Sequence, residues 1–310
     1  MTSINHSPLL RLEGVGRDRH GRAVVRDLDL TLERGEVLGL LGVNGAGKST
    51  TLAMLAGVLR PTAGRILLEG VDLAAHPARG RRLGWLPEHV PLWPELTVIE
   101  HLRARARLHG LRGKDLTNAC DKALERLHLG TLSRRLAGAL SQGQRQRLGL
   151  ALALVHDPVL LILDEPGNGL DPVQTADLRQ LLRAHAAAGG AVVLSTHLLP
   201  EVTTLCDRAA IVHDGRLRHD AALHDADDDV WELVLAAPVE TARLTGLAPV
   251  AHAEVHGGSG RGYVITLAAG HDTPGLLRAL LDAGLSPVSL QPGHSALERV
   301  FMDIATREAA

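Results

Sequence analysis

The sequence predicts an α/β protein, a mostly parallel sheet flanked by helices, followed by a small α+β domain. Three observations predict it. Short apolar runs at residues 36–41 and 159–163 read as strands buried on both faces, and 191–195 and 209–213 as further strands. Stretches of helical periodicity separate them, so strand and helix alternate. Near residue 219 the pattern breaks: HDAALHDADDD, over 219–229, is acidic and poor in apolar residues, as linkers are. The expected division is a large domain over 1–218, a linker over 219–229 and an accessory domain over 230–310.

Taken in order, residues 9–32 alternate apolar and polar side chains, as antiparallel strands with one wet face do. Strand 36–41 runs into a glycine-rich loop, and 49–59 has helical periodicity. Residues 65–69 and 83–86 read as strands, 98–129 as helical and basic, and 141–156 as a long helix before strand 159–163. A helix over 171–188 precedes strands 191–195 and 209–213. In the accessory domain, 230–236, 250–255 and 263–267 read as strands, with GGSG at 257–260 as the turn between the last two. Residues 275–283 and 295–306 read as helices. No internal repeat is visible, and GGSGRG reads as a hairpin turn rather than a second phosphate site.

Bulk properties narrow the function classes. At 310 residues with 45% hydrophobic side chains, the chain can bury a substantial core. A net charge of -2 gives no general attraction to nucleic acid. Residues 101–150 carry eleven Lys/Arg against three Asp/Glu, whereas 220–310 carry five Arg against thirteen Asp/Glu. The basic stretch reads as solvated surface or as proximity to an anionic membrane face. The only cysteines, Cys120 and Cys206, lack metal-ligand spacing and read as free thiols in a reducing compartment. The first residues lack the basic-then-apolar order of a signal peptide, and apolar runs fall far short of the ~18 residues of a spanning helix. A soluble chain is expected, with membrane attachment only through a partner. Lysine occurs only at 48, 114 and 122, a usage that suggests a GC-rich genome.

Two motifs carry chemistry. Residues 42–49 read GVNGAGKS, a phosphate-loop pattern after a buried strand and before a helix. Gly42, Asn44, Gly45, Ala46 and Gly47 would turn successive backbone N–H groups toward phosphate. The helix start at Ser49 and Thr50 adds partial positive charge. Lys48 reaches β- and γ-phosphates, and the Ser49 hydroxyl can bind Mg²⁺. Strand 159–163 ends in Asp164 and Glu165. Asp164 is placed to hold Mg²⁺, and Glu165 is the candidate base for an attacking water.

With LSQGQRQR at 140–147, the chain resembles the ABC-type ATPases, whose signature is usually LSGGQ-x-QR. Gln142 stands where that pattern has glycine. Ser141 is a candidate N-cap, and Gly143 permits close backbone approach. The resemblance covers residues 8–217. It implies a P-loop NTPase core with an antiparallel β subdomain and a helical signature subdomain at about 88–150. It further implies that Ser141, Gly143 and Gln144 face the γ-phosphate held by a second copy of the chain. Gly169-Leu170-Asp171 resembles the D-loop, which crosses the subunit interface. His197, in Ser195-Thr196-His197, resembles the switch histidine at γ-phosphate. Glu88, in Trp85-Leu86-Pro87-Glu88, stands where many members have the Q-loop glutamine; a carboxylate can hold Mg²⁺ or its water, but donates no hydrogen bond when ionised. The segment after it, including Trp93, would lie near a membrane partner. Members usually stack adenine on a tyrosine near the first strands. The sole tyrosine here is Tyr263, which leaves His20 or Arg19 as the flat surface.

The resemblance implies an ATPase with ATP and Mg²⁺ as its cofactors, a homodimer enclosing two ATP, and a membrane-spanning permease as partner. The LPE form of the Q-loop and the ending Ser295-Ala-Leu-Glu-Arg-Val-Phe301, similar to SLEDVF, point to ATP-binding subunits of ABC-2-type exporters, including the gliding-motility and nitrous-oxide-reductase-maturation groups. The implied location is the cytoplasmic face of a bacterial inner membrane, peripheral through the permease. The rival is a soluble ABC ATPase serving assembly or repair. The short gap between phosphate loop and signature argues against the repair type, which carries long coiled coils there.

Overall fold

The structure, a computed structural model, describes residues 7–223, 230–257, 260–293, 297–298 and 301–302. The chain divides into two compact units, residues 1–222 and 223–310.

In the first unit, β1 (Leu10–Arg19) and β2 (Arg22–Leu32) form an antiparallel hairpin, turning at His20 and Gly21, both in the left-handed region. β3 (Val37–Leu41) is buried along its whole length and leads through the glycine loop into α1 (Lys48–Leu55). β4 (Ala63–Leu68) and the short β5 (Val71–Asp72) join the hairpin in an antiparallel sheet of order β2-β1-β4-β5, the wet-faced subdomain that the alternation at 9–32 predicts. β6 (Leu83–Leu86) joins β3 in the other sheet, at its edge.

The basic stretch 98–129 forms two helices rather than one, α2 (Val98–Leu108) and α3 (Gly113–Arg126). Thr97 and Glu100 cap the start of α2 reciprocally. Its end is a Schellman motif: Gly110 N–H donates to Arg107 O and Leu111 N–H to Ala106 O, with Gly110 left-handed. Periodicity continues through this break, so the stop shows only as one glycine. α4 (Gln142–Leu154), β7 (Leu160–Asp164), α5 (Pro172–Ala187), β8 (Ala191–Thr196), α6 (Leu199–Leu205), β9 (Arg208–His213) and β10 (Arg216–Ala222) complete the unit.

The central sheet has order β10-β9-β3-β8-β7-β6, parallel except for the β9–β10 hairpin at its edge. β3, β7 and β8 have no exposed residue, which is why their sequences are unbroken apolar runs. Residues 219–222, read from the sequence as the start of a linker, instead extend β10 and pair with β9. The acidic character there has a local cause, since Arg208 Nη1 donates to both oxygens of Asp220 at 2.8 Å. Residues 224–229 lie outside the described residues.

The second unit runs β11 (Val230–Leu235), α7 (Thr241–Thr245), β12 (Val250–His256), β13 (Gly262–Leu267), α8 (Thr273–Asp282) and β14 (Pro287–Pro292). The βαββαβ order with an antiparallel sheet β12-β13-β11-β14 is the ferredoxin-like arrangement. Tyr263 is buried in its core, its hydroxyl accepting from Val239 N–H and donating its one proton to one of two nearby carbonyls, Val239 O or Gly260 O. The edge strand β14 begins and ends in proline, which hid it from the sequence reading. Of the expected helix 295–306, residues 297–298 and 301–302 are helical; the others, and residues 258–259 of the GGSG turn, lie outside the described residues. Among the described residues, no helix is long and apolar enough to cross a membrane.

One polar contact ties the helical subdomain to the sheet. His109, at the end of α2, stacks on His156, just after α4, with ring centroids 3.5 Å apart. His156 Nε2 donates to Leu83 O on β6, and His109 bonds Arg81 O through Nδ1. Burial first, then His109 and Arg105, hold His156 down to about 4, and burial also lowers His109 and His185. The unfolded chain therefore binds more protons as pH falls below about 6.5, and the stability that neutral His156 supplies is lost progressively toward pH 4. Thermal melts should show a lower Tm at pH 5 than at pH 7.5, and His156→Phe, which keeps a ring against His109 but cannot titrate, should narrow that difference.

Candidate active site

The site grows from the carboxyl ends of three adjacent parallel strands. Register places Leu41 beside Thr196 and Asp164 beside Ser195, so the loops after β3, β7 and β8 emerge together. After β3 the chain must turn sharply against its neighbours. A Cβ on Gly42 would lie 2.3 Å from Val212 O, and one on Gly47 would lie 2.8 Å from Val24 O at a φ of +104°. Only glycine fits both places. Gly47 ends the loop as the N-cap position of α1, and the α1 start aims its partial positive charge into the cleft beyond.

That cleft, about 440 Å³, is lined by Asn44, Gly45, Ala46, Gly47, Lys48, Ser49 and Thr50 from the loop and α1, by Asp164 and Glu165 after β7, and by Glu88 after β6. Arg19 and Val24 of the β1–β2 hairpin close another side. Lys48 is nearly buried; its Nζ donates to Gly42 O at 2.6 Å and Val43 O at 3.2 Å. Burial lowers its pKa, and Glu165, Asp164 and Glu88 oppose that shift. The cleft thus sets Lys48, Arg19 and the positive start of α1 beside three carboxylates, the charge pattern that a phosphate chain with a divalent cation complements.

Asp164 is 3% exposed, and Ser195 Oγ donates to its Oδ1 at 2.5 Å. The same Ser195 holds the next residue: Glu165 N–H donates to Ser195 O and Oγ at 3.2 and 3.1 Å. Glu165 sits at φ +48°, a region unfavourable for a side-chain-bearing residue. Its Oε1 accepts from His197 Nδ1 at 2.9 Å. This fixes the proton on that ring nitrogen.

The structure does not bring every sequence-predicted residue to this cleft. Ser141 caps α4, its Oγ accepting from Gln144 N–H while Gln144 Oε1 accepts from Ser141 N–H; neither residue, nor Gly143, lines the cleft. Asp171 caps α5, accepting from Gln174 N–H at 2.8 Å, and is also outside it. His20 projects from the hairpin turn and does not line the cleft, whereas Arg19 does. Two residues that the sequence reading did not single out matter here. Ser195 bridges both acidic residues, and Gln146 of α4 donates to the carbonyls after β7. Both lie within quoted motifs, but their partners are 19 to 31 residues away in sequence.

Residues 25–168 match the family described as "ABC transporter". A Bacillus subtilis protein named "Uncharacterized ABC transporter ATP-binding protein YdbJ" is 31% identical over 301 residues, which cover 96% of each chain. This chain belongs to the ABC transporter ATP-binding family. The ABC cassette is also 37% identical over 237 residues to Nod factor export ATP-binding protein I of Ralstonia nicotianae, 74% of each chain being covered. Among solved structures, an ATP-binding subunit of an ABC transporter matches with a TM-score of 0.66 at 32% identity, over 70% of this chain and 91% of that one. The first unit is thus a P-loop ABC cassette, and the protein is an ATPase.

Ser195→Ala removes the hydroxyl shared by Asp164 and Glu165. A buried bond to a charged group is worth about 1.5–3 kcal/mol, so denaturant melts should show a loss of that order together with reduced ATP turnover.

Proposed function

We propose that this ABC ATPase dimerises around two ATP molecules and drives a membrane-spanning ABC-2-type exporter from the cytoplasmic face of a bacterial inner membrane. The observation that carries the reading is the split of its motifs. One cleft gathers the phosphate loop, Glu88, Asp164 and Glu165, while Ser141, Gly143 and Gln144 lie outside it at an exposed helix start. A helix N-terminus stabilises an anion only when aimed at it, and a second copy facing the first would aim this one at the partner's γ-phosphate. Apolar side chains beside the same motifs favour a covered face: Leu198, next to His197, and Val173, near Asp171, are 47% and 71% exposed.

Within each site, Lys48 and the loop N–H groups hold the phosphates. Ser49, Asp164 and Glu88 offer the oxygen donors that Mg²⁺ prefers, and the ion would neutralise phosphate charge there. Glu165 takes the proton of the attacking water, and His197, bonded to that carboxylate, steadies it. Arg19 supplies the flat cation against adenine. His20 remains the other candidate, one residue along. The exporter assignment draws support from the relative named for Nod factor export, and from Trp93, which stands 63% exposed in the segment after Glu88. An exposed tryptophan suits docking rather than core packing.

Glu165→Gln should abolish turnover, keep ATP binding and accumulate an ATP-dependent dimer in size-exclusion chromatography with light scattering; turnover at the parent rate would remove Glu165 from the base role. Arg19→Ala should weaken ATP binding about fivefold, as loss of ~1 kcal/mol of stacking implies, with little change in His20→Ala. The reverse order would move the adenine contact to His20.

A further inference from the structure

Glu165 is held in a conformation that its backbone does not favour, and one of its anchors comes from an unexpected element. At φ +48°, a glutamate persists only where neighbours over-determine it. Ser195 takes its N–H, His197 takes its carboxylate, and its carbonyl accepts from Asn168 N–H and from Gln146 Nε2, each at 3.2 Å. Gln146 also donates to Pro166 O at 3.1 Å, so its amide bridges two successive carbonyls, one for each of its hydrogens. Gln146 is 5% exposed and belongs to α4, the helix whose first residues form the signature motif.

The rest of that turn braces the same loop. A Cβ on Gly143 would lie 2.7 Å from Gly169 O, and one on Gly169 would lie 2.8 Å from Gln142 Cγ. Gln142, which stands where the signature usually has glycine, therefore covers the far end of the loop while Gln146 holds the near end. Segment 165–169 and the first turn of α4 are fitted to each other at both ends.

We infer that Gln146 is a positioning residue for hydrolysis: its amide fixes the backbone of the base, Glu165, to the signature helix of the same chain. This rests on the reading of Glu165 as base. In the dimer proposed above, the helix start that faces one nucleotide is rigidly joined to the base that serves the other, so displacement of α4 at one site moves the carboxylate at the other. Gln146 is buried and does not line the cleft, so it acts on the chemical step and not on binding.

The test is Gln146→Met, which keeps a flexible side chain of similar volume and lacks the donor. Its folding is checked by thermal melt, its equilibrium Kd for a fluorescent ATP analogue by titration, and its kcat by phosphate release, with Glu165→Gln measured alongside. The expected result is a Kd within twofold of the parent and a kcat lowered about tenfold or more, as misplacement of a reacting group on the ångström scale produces. A kcat within twofold of the parent, while Glu165→Gln is inactive, overturns the inference and leaves the base standing. A loss of nucleotide affinity as large as the loss of kcat also overturns it, because Gln146 would then serve binding or folding. Turnover retained by Glu165→Gln overturns the base and, with it, the inference.

Discussion

The parallel register of β3, β7 and β8 is the constraint on which the rest depends. Leu41 lies beside Thr196, and Asp164 beside Ser195, so three strands end at one level. A shift of one residue would turn Asp164 to the opposite face of the sheet and part it from Ser195. Burial enforces the register, since each of these strands is apolar on both faces and cannot slide without exposing leucine, isoleucine or valine. Site geometry is in this sense a product of core packing: the same contacts that stabilise the sheet set the distance between the phosphate loop and the acidic pair.

Function then adds local costs to that frame. Glycines at 42 and 47 accept close approaches to carbonyls of Val212 and Val24 that no side chain could meet, and Glu165 accepts a left-handed backbone. Lys48 is buried against its own loop carbonyls, with carboxylates of Glu88, Asp164 and Glu165 raising its tendency to stay charged against the cost of burial. Strain of this kind is typical of sites that must be ready before substrate arrives. Here it is held by neighbours from β8, α4 and the residue after β8, so the placement of Glu165, the proposed base, depends on several elements at once.

Much of this was legible in the sequence, and the exceptions share a physical cause. Strands 36–41 and 159–163 announced themselves because burial on both faces leaves a contiguous apolar signature. GVNGAGKS announced itself because phosphate binding is done by consecutive backbone groups. Features made by pairing of distant segments were not legible. Residues 219–222 of β10 looked like the start of a linker because their acidic residue, Asp220, answers Arg208 across the hairpin. β14 was masked by its terminal prolines. The preference for Arg19 over His20 at the cleft depends on how the hairpin turns, and Gln146 gains its meaning only from carbonyls nearly a full helix and strand away. The division at Gly110 shows the same limit, because α2 and α3 keep one periodicity across a break made by the left-handed backbones of Gly110 and Gly113.

In the proposed dimer, each nucleotide is served by two chains, the phosphate loop of one and the signature helix of the other. The most direct measurement is subunit complementation. A Lys48→Ala chain and a Ser141→Arg chain, each inactive alone, are mixed and assayed for ATP hydrolysis. In a mixed dimer, one site combines the intact phosphate loop of the Ser141→Arg chain with the intact signature of the Lys48→Ala chain, and hydrolysis should reappear on mixing. If mixed dimers form and no activity returns, or if either variant hydrolyses ATP alone at the parent rate, the motifs do not act across chains.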